Sequence, residues 1–141
     1  MPFVLENIDT PAKQAIADSF AARSPYFRGI DQKLWFDREN RLYFANLGGG
    51  ALDVPYRLVL AAEGGEVLVE AQGLESGSGL HRPKSIDIVW DIEKITIAKS
   101  SKDHAEHLIA RFREALDAYG SSGNAEVTRS VRANFPTPTF R

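Results

Sequence analysis

The chain has 141 residues, of which 43% are apolar, 26% charged and 10% aromatic, and 17 Lys and Arg against 19 Asp and Glu leave a formal net charge of −2. This composition fits one folded domain and argues against disorder, because enough apolar surface is present to offset the entropy of ordering. The lack of cysteine excludes a disulfide scaffold, a thiolate metal site and a thiol nucleophile, and a pI near 5.9 argues against a nucleic-acid partner, which selects a basic face.

Met1 to Glu6 holds neither a basic leader nor an apolar run of signal-peptide length. No stretch approaches the ~20 apolar residues of a membrane helix. A cytoplasmic protein with no membrane contact is therefore expected.

The first predicted element is a helix over Pro11–Arg23. Thr10 can accept from an orphan N–H as N-cap, and Pro11 suits the first helical position. Ala12, Ile16, Ser19 and Phe20 share one face, a stripe narrow enough to place the helix at a sheet edge or rim. Ser24 ends it, since a residue before proline avoids the helical region.

Strands follow. Lys33–Asp37 and Arg41–Ala45 are aromatic-rich and joined by Arg38-Glu39-Asn40, which reads as a tight three-residue hairpin link. Pro55–Ala61 and Val67–Ala71 form a second hairpin around Glu63-Gly64-Gly65-Glu66. Gly73 to Gly79 reads as a loop. Ser85–Ile92 alternates Ile86, Ile88, Trp90 and Ile92 with polar positions. The apolar phase then resumes at Ile95 and Ile97, so one residue has been gained, either as a β-bulge or as a break into two strands.

A second helix is predicted over Lys102–Tyr119, with Ala105, Leu108, Ile109, Phe112, Ala115, Leu116 and Tyr119 on one stripe. Ser100 or Ser101 can cap its start and Gly120 can end it in the left-handed conformation. Residues 121–141 form a polar tail that is either mobile or docked through Phe135 and Phe140. The predicted architecture is α+β: a two-layer sandwich in which an antiparallel sheet of five to six strands is flanked by an N-terminal and a C-terminal helix. Residues 1–120 form the domain and 121–141 its tail.

Few residues carry chemistry. His104 and His107 are three apart on the second helix, but no third helical ligand stands out, and surface histidines are the expectation. His81 beside Ser78 lacks the orienting group and oxyanion hole of a nucleophilic site. Gly48-Gly49-Gly50 lacks the Lys and helix start of a phosphate cradle. No metal, cofactor or catalytic residue is expected. Asp87 and Asp91 lie on the polar side of the long strand.

Trp35 and Tyr43 belong to adjacent aromatic pairs, Trp35-Phe36 and Tyr43-Phe44, so each strand puts a ring on both sheet faces. One face is core; the other meets the N-terminal helix, the tail or a partner. Residues 58–81 hold Glu63, Glu66, Glu70 and Glu75 and no Lys or Arg, whereas 118–141 hold Glu126 against Arg129, Arg132 and Arg141. The second hairpin is thus acidic and the tail weakly basic.

The run Ile86–Ile97 with Trp90, followed by Glu106–Gly120 containing Ile109, Ala115 and Leu116, resembles small immunity proteins of bacterial polymorphic-toxin systems. The likeness covers about 35 of the 141 residues. It implies a non-catalytic cytoplasmic protein that binds and blocks a cognate toxin, and it carries over no functional residue. The expected function is a protein-binding module for a basic toxin domain, with Glu63, Glu66, Glu70, Glu75, Asp87, Asp91, Trp35 and Tyr43 as contacts. The alternative is a small-molecule site or enzyme with an aromatic pocket lined by His81, Tyr43, Trp35 and Asp91. Oligomeric state stays open.

Overall fold

A computed structural model describes residues 3–24, 27, 32–48, 56–78, 85–120 and 128–141, with side chains described for all of these except 75–78, 85–88 and 128–131. The elements are β1 (Val4–Asn7), α1 (Pro11–Arg23), β2 (Lys33–Asp37), β3 (Leu42–Asn46), β4 (Tyr56–Ala62), β5 (Val67–Ser78), β6 (Ser85–Ile97), a 3-10 turn (Lys99–His104), α2 (Ala105–Gly120), β7 (Thr128–Ala133) and β8 (Thr139–Phe140). They build an α+β fold on one sheet in the order β1-β2-β3-β4-β5-β6-β7, with β8 also on β6.

The predicted fold is right in class and short in detail. The described residues give eight strands, not five or six. Pairs from β1 to β6 are antiparallel, but β7 and β8 run parallel to β6. A parallel return needs a crossover, and α2 supplies it. β1 has only four residues, too few for a periodic signal.

The larger correction concerns the helices. α2 lies on one sheet face, where Leu108, Phe112, Ala115 and Leu116 pack with Trp35, Phe44, Leu58, Leu60, Trp90, Ile92 and Ile95. α1 lies on the other, where Ile16, Ala17 and Phe20 pack with Leu34, Phe36, Tyr43, Ala45, Val59 and Ala61. The sheet is therefore covered on both sides over β2–β4 rather than sandwiched in two layers. The adjacent aromatic pairs demand this, because a strand carrying a ring on each face needs two covers.

Several local features match the reading of the chain. Lys13 N donates to the Thr10 hydroxyl at 3.2 Å, and Ser24 is extended at φ −154°. The phase change in β6 is a bulge within one strand: Gln72 pairs with Lys94 and Gly73 with Ile92, leaving Glu93 as the extra residue. Gly73 is essential to that crossing, because a Cβ there would lie 2.0 Å from the Asp91 carbonyl oxygen. Past Gly73 the chain stays in β5 through Ser78 instead of becoming a loop.

The first hairpin link is one residue longer than predicted. Asp37 pairs with Leu42, and Arg41, expected to open the second strand, lies in the link in the left-handed conformation at φ 56°. Asn40 instead donates from its backbone and side chain to the Asp37 carboxylate, at 3.1 and 2.9 Å. The serine caps of α2 do not form. A 3-10 turn precedes the helix without a side-chain cap, and the Ser100 hydroxyl reaches Glu66 instead. Gly120 is the last helical residue and not a left-handed stop after Tyr119, since its φ is not positive.

Residues 128–141 lie against the body. β7 pairs along Ser85–Trp90 of β6. Asn134 then bridges the bulge: its amide donates to the Ile92 carbonyl at 2.8 Å and accepts from the Ile92 N–H at 2.6 Å. Phe135 meets Phe112 edge-on and lies under the Arg113 guanidinium, 3.7 Å from the ring centroid. Among the described residues no helix is long and apolar enough to cross a membrane.

Candidate functional site

α1 covers only part of its face. Its buried contacts fall on β2, β3 and β4. Val69, Ala71, Trp90, Ile92, Ile95 and Ile97 of β5 and β6 point toward α2, so alternation turns Glu70, Gln72, Leu74, Asp91 and Thr96 to the opposite side. No described helix covers them there. Gln72, Leu74, Asp91, Glu93 and Lys94 are exposed, and Glu70, Val89 and Thr96 are half-buried.

Register fixes how these residues meet. Glu70 pairs with Thr96, Gln72 with Lys94 and Leu74 with Asp91, while Val89 sits beside Arg132 of β7. Leu74 is 41% exposed. It is one of two large hydrophobic side chains so exposed among the described residues, the other being Val4. A leucine open to water on a sheet, ringed by charges, has the make-up of a docking surface.

The structure distributes the predicted contact residues unevenly. Glu70 and Asp91 share the open face. Glu63 and Glu66 stand apart at the β4–β5 turn, both exposed. Glu75 and Asp87 occupy strand positions opposite Trp90 and Ser78, and their side chains lie outside the described set. Trp35 and Tyr43 are buried, at 8% and 3% exposure, and a partner would have to displace a helix to reach them. Burial also holds the Tyr43 hydroxyl above the usual tyrosine range, helped by the charges of Glu63 and Glu6.

The acidic character is narrower than the sequence implies. Arg41 pairs with Glu63 and Arg57 with Glu70, each at 2.8 Å. Arg41 comes from the β2–β3 turn and Arg57 from β4, outside the segment counted. Sequence reading also missed Leu74, because the segment after Gly73 resembled a loop. The usable signal was its phase: Val69, Ala71 and Gly73 keep inward positions, so Leu74 falls outward.

A second constellation is buried. Asp37 is fully enclosed, and Arg111 of α2 donates to it at 3.0 Å while also pairing with Glu114. Burial alone would raise the Asp37 carboxyl. The hydrogen bonds from Asn40 and Arg111, with the Arg111 charge, outweigh it and hold the group below the ordinary carboxylate value. With its oxygens engaged by Asn40 and Arg111, Asp37 is a staple between the β2–β3 turn and α2.

His104 and His107 are exposed, and the described residues contain no group of three side chains suited to a metal. His81 lies outside the described residues. The aromatic-pocket alternative meets a geometric obstacle: Trp35 faces α2 whereas Tyr43 faces α1, so one cavity cannot be built on both. Trp35, Phe44, Trp90 and Tyr119 instead pack edge-on or tilted at centroid distances from 5.8 to 6.2 Å.

No family model, curated protein or solved structure matches this chain.

Proposed function

We propose that the protein is a non-catalytic binding module that docks a protein partner on the open face of β5 and β6. The carrying observation is Leu74, 41% exposed where α1 leaves the sheet uncovered, with Asp91 opposite it. Burying such a leucine against a partner contributes about 1.5–3 kcal/mol. The half-buried Val89 extends the apolar centre, and Glu70, Glu93, Lys94 and Arg132 supply a charged rim.

The partner we infer is a basic toxin domain neutralised in the cytoplasm. This rests on the likeness of residues 86–120 to immunity proteins, with support from exposed Glu66, Asp91 and Glu93. Acids on such a surface speed encounter with a basic protein more than they raise affinity.

Affinity capture with the tagged protein from its native host tests this reading. The wild type is expected to retain a basic polypeptide that the Leu74→Arg, Asp91→Lys double variant loses. Equal retention by both removes the open face as the docking surface, and retention by neither removes the binding-module reading.

A further inference from the structure

α2 has a second face that the core does not use. Glu106, Ile109, Ala110, Arg113 and Asp117 recur at spacings of three and four, so they form one stripe along the helix. Ile109 is half-buried and the other four are exposed. Beside the stripe the C-terminal segment leaves a groove of about 330 Å³, lined by Ala105, Glu106, Ile109, Ala110 and Arg113 of α2 and by Pro138. Lys102, in the 3-10 turn, extends the stripe by a turn. Its ammonium lies over the Phe140 ring as the Arg113 guanidinium lies over Phe135.

Among the described residues no ion pair engages Lys102, Glu106, Arg113 or Asp117. In chain order their charges alternate in sign, with Ile109 and Ala110 between the inner two. That order is complementary to its own reverse. Two copies of α2 crossing antiparallel about the midpoint of Ile109 and Ala110 set Glu106 against Arg113 of the partner subunit. The same crossing sets Lys102 against Asp117 of the partner subunit, and a two-fold axis makes each pair twice. In a parallel pair Glu106 faces its own copy, and so does Arg113. A slip of one turn brings Glu106 against the partner's Asp117, or Lys102 against the partner's Arg113, and both are repulsive. One orientation and one register are therefore favoured. Ala110, at the centre, is small enough for the helix axes to approach to about 8–10 Å.

We propose that this stripe docks a second copy of the chain, giving a two-fold dimer through antiparallel α2 helices. The contact is one helix wide and its exposed ion pairs are individually weak, so the dimer is transient and salt-sensitive. α2 lies across the sheet from Leu74. Dimerisation thus leaves the open face of each copy free, and the proposal does not depend on the docking reading.

Sedimentation equilibrium of the full chain, from micromolar to about millimolar concentration, tests it. The wild type is expected to form dimers whose dissociation constant rises with added sodium chloride. Glu106→Arg sets arginines against each other twice, and Arg113→Glu does the same with glutamates. Each is expected to weaken self-association at least about tenfold. Mixed in equal amounts, the two variants regain both ion pairs and are expected to form a heterodimer at close to wild-type affinity. A variant that had merely lost the Arg113 contact with Phe135 would gain nothing on mixing. A wild type that stays monomeric throughout leaves the groove to another occupant and overturns the proposal. Undiminished self-association of Glu106→Arg overturns it too, as does a mixture that stays monomeric.

Discussion

Single residues decide two features of this fold. At Gly73 a methyl group would enter the backbone of β6, 2.0 Å from the Asp91 carbonyl oxygen and 2.9 Å from the Ile92 Cα. Neither atom belongs to a flexible side chain, so Gly73→Ala is expected to cost at least about 1–3 kcal/mol by chemical denaturation. Gly64, with open space around it, is the control: Gly64→Ala is expected to stay within about 0.5 kcal/mol.

At Asp37 the issue is charge. Removing Asp37 takes from Arg111 its buried counter-charge and leaves it the exposed Glu114, while removing Arg111 leaves Asp37 its hydrogen bonds from Asn40, and Asp37→Ala is expected to cost about 1–3 kcal/mol. Replacing both with apolar residues is expected to cost less than the two single changes together, and a double-mutant cycle measures the difference. Because the folded carboxyl titrates below its ordinary value of 3.8, the unfolded chain binds more protons in that range. The pair's stabilisation is fully present above that value and is lost as pH falls through the lower folded one. Denaturation midpoints of Asp37→Asn are therefore expected to fall less steeply than those of the wild type as pH drops below about 4. This pair was not legible in the sequence: its members lie 74 positions apart, and Arg111 reads as polar on a helix whose apolar stripe excludes it.

Among the elements, legibility follows the strength of the periodic signal. α2 carries a broad apolar stripe, and its buried face is the predicted one at Leu108, Phe112, Ala115 and Leu116. The bulge at Glu93 was readable as a change of phase, because a half-buried strand records each inserted residue. α1 was located correctly through Thr10, Pro11 and Ser24, but its placement was not. Its stripe buries only Ile16, Ala17 and Phe20, and nothing in so narrow a face names the surface beneath it. That information sat in the sheet, in Phe36 and Tyr43, which stack at a 4.4 Å centroid distance under the helix.

The C-terminal segment is a further element-scale test. Phe135 packs on Phe112 and under Arg113 beside two strands added to β6. Phe135→Ala is expected to destabilise the fold by about 1–3 kcal/mol, below the usual cost for a fully buried Phe because the ring is only half-buried. A variant as stable as the wild type in urea would detach the segment from the core.

At the scale of the whole molecule the sheet is unequally clothed. Among the described residues β2 to β4 carry helices on both faces, whereas β5 meets the α1 cluster only at Val67 and β6 packs on the α2 side. A net charge of −2 concealed an acidic hairpin, and the fold then neutralised half of that hairpin with Arg41 and Arg57. What remains on the uncovered sheet is an exposed leucine with acids and bases around it, and the proposed activity rests on that asymmetry.

The central claim is that a partner covers this face. Hydroxyl-radical footprinting of the captured complex tests it most directly, with Leu74 at 41% exposure and Val4 at 47% as the two probes. Oxidation of Leu74 is expected to fall sharply on binding while Val4, on the distant strand β1, reacts as in the free protein. Unchanged oxidation of Leu74 in the complex, with or without protection of Val4, would contradict it.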